Sequence, residues 1–362
     1  MSAPSCRRPT SARSCAGRCA RKSRRAAPGA RPDHARKPRL TPVLARLQRR
    51  LLAVEFLLHL LLALAWWLAT DAPGWIVPTI VLLLALSGRA IYVGAAFAIA
   101  AATDPERAWP RPLPFARVFI GELVAFTLTH SLLQPAKPFT RHLAPAFAES
   151  GPSLLFVHGY CCNAEFWLPL RRRLARAGYR CQRAVDLEPV FADIDTLAER
   201  LHERIEALAA TDPDPRLVLI AHSMGGLVAR AYLGAYGTSR LAGLITLGTP
   251  HAGTTLARLA PGPNGRQMRA ASAWLAALPQ APAHLPSLHL ASPADELVSP
   301  AHSALAAPGD GQWLPACGHL ALAHRADTVR RIADWLEALH APTDGEEALH
   351  VSVARSGQTP GH

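Results

Sequence analysis

Three side chains, Ser223, Asp295 and His319, have the types and the chain order needed for acyl transfer through a serine. A serine hydroxyl becomes a nucleophile when a base takes its proton, a carboxylate fixes the tautomer of that base, and N–H donors meet the charge growing on the substrate oxygen. Ser223 sits in Ala221-His222-Ser223-Met224-Gly225, after an apolar run at 217–220 and before a helical pattern over 224–236. Such a run reads as a strand buried on both faces, so the serine is expected on a strand-to-helix turn that lifts its hydroxyl above the sheet. Ala221 and Gly225, two residues either side, are small enough for the helix to approach, although alanine replaces the commoner first glycine. An ordinary serine at a helix N-terminus fits the same five residues.

Asp295 follows an apolar strand pattern in Ala-Ser-Pro-Ala-Asp-Glu-Leu-Val, where an acid emerges at the carboxyl edge of a sheet. Glu296 is its rival; Asp295 comes first off the turn, and Val298 can anchor the loop beneath it. His319, in Ala-Cys-Gly-His-Leu-Ala-Leu, follows the last strand pattern and is the expected base, with Gly318 allowing a close approach. At the end of the first strand pattern, Phe-Val-His-Gly-Tyr makes the backbone N–H groups of Tyr160 and Met224 the candidate oxyanion donors. His158, His222 and His251 read as structural, bonding loop backbone around the site.

These residues need a parallel sheet to bring them together. Strand patterns at 153–157, 179–187, 217–220, 241–247, 288–291 and 312–315 alternate with helical patterns at 164–177, 194–208, 224–236 and 329–339. The catalytic domain is expected over 150–342. A segment over 252–286 with an apolar helix near 271–278, including Trp274, reads either as a small lid or as a packed surface excursion. The run Arg171 to Arg173 reads as a solvated face, with a membrane-facing patch as the alternative.

The rest of the chain points to a bilayer. Residues 1–50 hold fifteen Lys and Arg against one acid, Asp33, so a tail of charge +14 accounts for the net +13 of all 362 residues. Residues 1–40 are expected to form a disordered basic tail, and a targeting segment or an over-long gene start has the same composition. Residues 41–104 are expected to hold two membrane helices, at 51–69 and 75–102, joined by a short turn. Glu55, His59 and Arg89 interrupt them, and Trp66 and Trp67 suit an interface. The basic tail and Arg107, Arg111 and Arg117 flank the pair, so positive-inside reasoning places both flanks and the catalytic domain in the cytoplasm. A buried hairpin of a soluble protein and a single signal-anchor with an exported body are the competing readings. Residues 105–149 read as a juxtamembrane connector with one apolar helix over 118–133 and no residue that suggests chemistry; residues 343–362 read as a flexible tail.

The seven cysteines include an adjacent pair and no Cys-x-x-Cys spacing, which speaks against a zinc site or a disulfide framework and for free thiols. No ligand set for a metal or an organic cofactor is visible, and the tail lacks the aromatic interleaving and modules of base-specific nucleic-acid binding. No oligomeric state is specified.

His158-Gly159, Ala221-His222-Ser223-Met224-Gly225-Gly226, Thr246-Leu247-Gly248-Thr249-Pro250-His251, Ser292-Pro293-Ala294-Asp295-Glu296-Leu297-Val298 and Gly318-His319-Leu320 together resemble the bacterial serine esterases and triacylglycerol lipases of the α/β-hydrolase superfamily, and the Ala-His-Ser-Met-Gly form is similar to its small, lid-poor lipases. The resemblance covers roughly residues 150–340. It implies an α/β-hydrolase fold with a mostly parallel sheet, Ser223 as nucleophile, Asp295 as acid and His319 as base. The membrane hairpin lies outside it and departs from the secreted lipases. The expectation is a membrane-anchored esterase or lipase acting on lipid-like esters, without cofactor or metal. Acyl transfer or thioester cleavage on the same triad, and a non-catalytic membrane scaffold, are the alternatives.

Overall fold

A computed structural model describes residues 43–136, 153–210 and 216–340, so the expected tails at 1–40 and 343–362 lie outside the described residues. The sheet is built from β1 (Ser153–Val157), β2 (Gln182–Ala184), β3 (Leu217–His222), β4 (Leu241–Leu247), β5 (Ser287–Ala291) and β6 (Asp310–Trp313). All neighbouring pairs are parallel, in the order β2-β1-β3-β4-β5-β6. Parallel strands need crossover connections, and the helices among them are α4 (Leu168–Arg176), α5 (Ile194–Ala209), α6 (Met224–Tyr236) and, after the last strand, α10 (Ala326–His340).

The period-2 alternation of strand side chains divides the core in two. Leu155, Val157, Leu219 and Ala221 pack with Ile194 and Leu197 of α5 and Leu227 and Val228 of α6. Leu154, Phe156, Val218 and Ile220 pack with Leu170 and Leu174 of α4 and Ile332 and Leu336 of α10. Covered on both faces, β3 is buried along its whole length, which is why it reads in sequence as an unbroken apolar run.

Local departures from the sequence expectation have local causes. The helix expected over 164–177 opens as a 3₁₀ turn, Ala164–Trp167, because Pro169 suits the first turn of a new helix. The last strand lies two residues earlier than its apolar pattern, since its register is set by pairing Leu288 with Asp310 and Ala291 with Trp313 on β5. Within the arginine run, Arg172 and Arg173 are exposed as expected, but Arg171 is 6% exposed, its guanidinium 5.9 Å from the Phe156 ring centre, so the solvated-face reading does not hold for it.

Three helices precede the sheet: α1 (Val43–Leu68), α2 (Ile76–Thr103) and α3 (Pro112–Thr127), the last continuing as a π-helical turn, Leu128–Leu133. Val43–Leu68, Ile76–Thr103 and Pro112–Leu133 are each long and apolar enough to cross a membrane, with mean hydropathies of 2.1, 2.0 and 1.3. Side chains such as Val54, Phe56, Leu83 and Ile91 are more than half exposed, a surface that water would not favour. The two charges that break the apolar stretches are partners: Arg89 of α2 meets Glu55 of α1 at 2.6 Å, and its Nε donates to Ser131 at 3.0 Å.

The carboxyl end of the sheet is held by a close contact at Gly225. A Cβ there would lie 2.5 Å from the Val157 carbonyl oxygen and 2.6 Å from that of His158, so α6 can reach β1 only without a side chain. Gly225→Ala is therefore expected to part α6 from β1 and lower the thermal midpoint by several degrees, read by circular dichroism of the detergent-solubilised chain; an unchanged midpoint would contradict this packing.

Candidate active site

The turn between β3 and α6 has a backbone that few residues other than glycine adopt. Ser223 has φ 55° and ψ −127°, its N–H donates to the Leu247 carbonyl at 2.9 Å, and its own carbonyl accepts from Gly226 at 3.0 Å. Such a conformation persists only where its surroundings over-determine it. The surroundings here are tight: a Cβ on Gly159 would lie 2.9 Å from the Ser223 Cβ. The residue itself is part-exposed between buried neighbours.

His319 opens the short helix α9 (His319–Leu322) after β6, and Asp295 stands on the loop after β5. The imidazole Nδ1 is 2.8 Å from Asp295 Oδ2 and 2.9 Å from Oδ1, with both residues at most 2% exposed. A carboxylate accepts only, so Nδ1 carries the proton and Nε2 is left as the basic nitrogen. Asp295 is fixed in turn, its Oδ1 accepting from the amides of Leu297 at 3.0 Å and Val298 at 2.9 Å. Burial pulls the His319 pKa down, but the Asp295 charge and hydrogen bond outweigh it and, with a smaller push from Glu122, hold it above 6.5.

His222, the residue before Ser223, ties the serine turn to this pair. Its Nε2 donates to the His319 carbonyl at 3.2 Å, and the two rings are 4.5 Å apart. Burial, then the neighbouring His319, keeps its pKa well below 6.5, so it is a neutral spacer. His158 accepts the Leu187 amide at 3.0 Å, and His251 meets Thr246 at 3.2 Å, contacts that serve loop backbone and core. Of the candidate oxyanion donors, Met224 follows the serine in the chain, and Tyr160 follows Gly159, which packs against Ser223, with the Tyr160 hydroxyl donating to the Pro261 carbonyl at 2.8 Å.

Of four further residues at this site, three had no role there in the sequence reading and the other, Glu296, was the rival acid. Gly248, φ 54°, follows β4, and a Cβ there would lie 2.8 Å from Asp295 Oδ2 and 3.3 Å from His319 Nδ1. A glycine just past a strand end within Thr-Leu-Gly-Thr-Pro is the signal that could have found it. Glu296 lies away from the imidazole and accepts the His319 backbone N–H at 3.0 Å; burial and then the charges of Glu122 and Asp295 push its pKa well up. The other two, Arg107 and Glu122, lie in the segment whose residues suggested no chemistry in sequence, and both contact the loops that carry Asp295 and His319.

The segment at 252–286 forms α7 (Gly262–Gln267) and α8 (Ala273–Ala277) and is fastened to the body as a packed excursion. Trp274 donates to Asp195 at 2.7 Å, Asn264 to the Val190 carbonyl at 2.8 Å, and the buried Arg230 to the carbonyls of His251, Leu278 and Pro279. Among the described residues, no group of three or more His, Cys, Asp or Glu could hold a metal ion, and Cys161, Cys162, Cys181 and Cys317 are free thiols.

The pair makes a direct electrostatic forecast. The His319 imidazole is expected to titrate above pH 6.5, and in Asp295→Asn, where burial acts without the opposing charge, below it, as read by NMR of ¹³C-labelled histidine. Gly248→Ala, which forces the carboxylate off Nδ1, is expected to move it the same way; no shift in either variant would refute the coupling.

A model of the alpha/beta hydrolase family matches residues 154–352. A probable esterase, PIR7A, of Oryza sativa is 36% identical over 84 residues, 22% of this chain and 32% of the relative. The non-heme chloroperoxidase CPO-A1 of Kitasatospora aureofaciens is 33% identical over 105 residues, 27% and 36% of the two chains. The chain thus spans about a third of the length of these curated relatives. Among solved structures, Bacillus licheniformis lipase BlEst2 aligns at 17% identity over 54% of this chain and 96% of its own, with a TM-score of 0.45. Aspergillus fumigatus lipase B aligns at 15% identity over 55% of each chain, with a TM-score of 0.48. The family match takes in more than half of the chain, from β1 past the loop of His319, and the chain belongs to the alpha/beta hydrolase family.

Proposed function

We propose that this alpha/beta hydrolase is a membrane-anchored serine esterase that cleaves carboxylic esters of lipid-like substrates through an acyl-enzyme. Ser223 attacks the ester carbonyl while His319 Nε2 takes the hydroxyl proton, and the backbone N–H groups of Tyr160 and Met224 receive the oxyanion. The imidazolium, steadied by Asp295, then gives its proton to the leaving alcohol, and water repeats the sequence in reverse to release the acid. The observation that carries this reading is the buried Asp295–His319 contact at 2.8 Å, at the same sheet end as a serine held at φ 55°. The esterase names of relatives that share a third of their length with this chain agree with it.

The anchor in this reading is the pair α1 and α2. The +14 charge of residues 1–50 and the arginines at 107, 111 and 117 favour the cytoplasmic side for both ends of the pair and for the sheet. α3 is apolar enough to span, but it buries Glu122 and Val118, which favours a place against the body. Tethering the site at a bilayer raises its encounter rate with substrates that partition there.

Ser223→Ala is expected to lower kcat/KM for p-nitrophenyl butyrate by about 10⁴-fold or more while leaving the thermal midpoint unchanged. Retained turnover would end the mechanism. Since the base must be neutral to act and its pKa is raised, the acid limb of kcat/KM is expected to have its midpoint above pH 6.5, with activity rising through it. A membrane-impermeant fluorophosphonate is expected to label Ser223 in permeabilised but not in intact cells, and labelling of intact cells would reverse the orientation.

A further inference from the structure

The loops that carry Asp295 and His319 are gripped from outside the sheet by residues that precede it in the chain. On α3, Glu122 is 1% exposed, and its carboxylate accepts two consecutive amides of α9: Leu320 N–H at 3.0 Å and Ala321 N–H at 2.9 Å. These are unsatisfied donors of a helix start, and the residue before them is His319. Gly318 makes the approach possible, since a Cβ there would fall 2.6 Å from both Cβ and Cδ of Glu122.

The acid loop is held in a parallel way. Arg107, between α2 and α3, donates from one nitrogen to the Asp295 carbonyl at 2.5 Å and from another to that of Val298 at 2.7 Å. Asp104 fixes this guanidinium at 2.9 Å and accepts the Ala301 N–H at 3.2 Å. Between the two grips, Ala294 joins an apolar cluster with Val93 and Phe97 of α2 and Val118 of α3. Glu296 closes the circuit by tying the acid loop to the His319 backbone.

We propose that Glu122 and Arg107 are positioning residues for the triad, so that the Asp295–His319 register is set by the juxtamembrane segment rather than by the sheet alone. The physical reason is directional. Two N–H groups on one carboxylate fix both the tilt and the rotation of the first turn of α9, and with it the direction of the imidazole. Two carbonyls on one guanidinium fix the acid loop in the same way. A glutamine at 122 keeps one acceptor and turns an amide N–H₂ toward the other donor, leaving a buried N–H without a partner.

The proposal rests on the esterase reading for its consequence in rate, but its geometry is measurable without substrate. In the full chain in detergent, the His319 imidazole and its downfield Nδ1 proton are followed by NMR in wild type, Glu122→Gln and Arg107→Lys. Both variants are expected to lose or broaden the downfield signal and to lower the His319 pKa. Arg107→Lys preserves the net charge, so its shift reports position and not the removal of a charge. With p-nitrophenyl butyrate, kcat per fluorophosphonate-titrated site is expected to fall about tenfold to 100-fold, with KM within about twofold.

A role confined to stability would lower the midpoint and the number of titratable sites but leave the signal, the pKa and kcat per site at wild-type values, and that result overturns the proposal. Should Glu122→Gln fail to fold, Arg107→Lys decides alone. A wild type that shows the downfield signal but no turnover would defeat the esterase reading and leave the positioning result standing.

Discussion

The carboxyl end of the sheet is organised around one buried contact, the Asp295 carboxylate against His319 Nδ1. Removing a carboxylate from water is costly unless it is hydrogen-bonded and paired, and here two amides and one imidazole meet its two oxygens. The same burial alone would leave His319 a poor base. The charge beside it reverses that, and so one interaction supplies the tautomer, the orientation and the basicity together. The glycines around it serve clearance. Gly248 leaves room for the Asp295 oxygen, Gly225 lets α6 reach β1, and Gly318 lets the Glu122 carboxylate reach the Leu320 and Ala321 amides.

Where one physical requirement dominated, the sequence was plain to read. β3 must be buried on both faces, so its residues are apolar without interruption, and α6 begins where the small residues Gly225 and Gly226 occur. The order Ser223, Asp295, His319 was legible because each follows a strand pattern, and the choice of Asp295 over Glu296 rested on its place at the turn. The structure puts Asp295 against the ring and Glu296 against the backbone. β6 was misplaced by two residues because an edge strand takes its register from its neighbour, and its own residues, Asp310 and Gly311 among them, carry no apolar signature. Arg171 defeated a reading based on charge because the residue is buried with its guanidinium over the Phe156 ring.

What was not legible were the long-range grips. Glu122 lies nearly 200 positions before its partners, inside an apolar helix where a lone acid reads as an interruption. Its meaning is set by two backbone amides, and backbone amides leave no trace in residue identity. Arg107 is hidden for the same reason, since it serves carbonyls. Arg89 and Glu55 are the more readable case: each costs its helix free energy in isolation, and the cost points to a partner.

The placement of Glu122 also bears on the order of events during synthesis. The helices that hold this acid leave the ribosome before any strand of the sheet, while the amides it must receive emerge only after β6. The grip on α9 can therefore form only after β6 has been made, when Leu320 and Ala321 return to α3. Until then Asp295 has no imidazole beside it, so the pair that fixes the tautomer of His319 cannot exist on a shorter nascent chain.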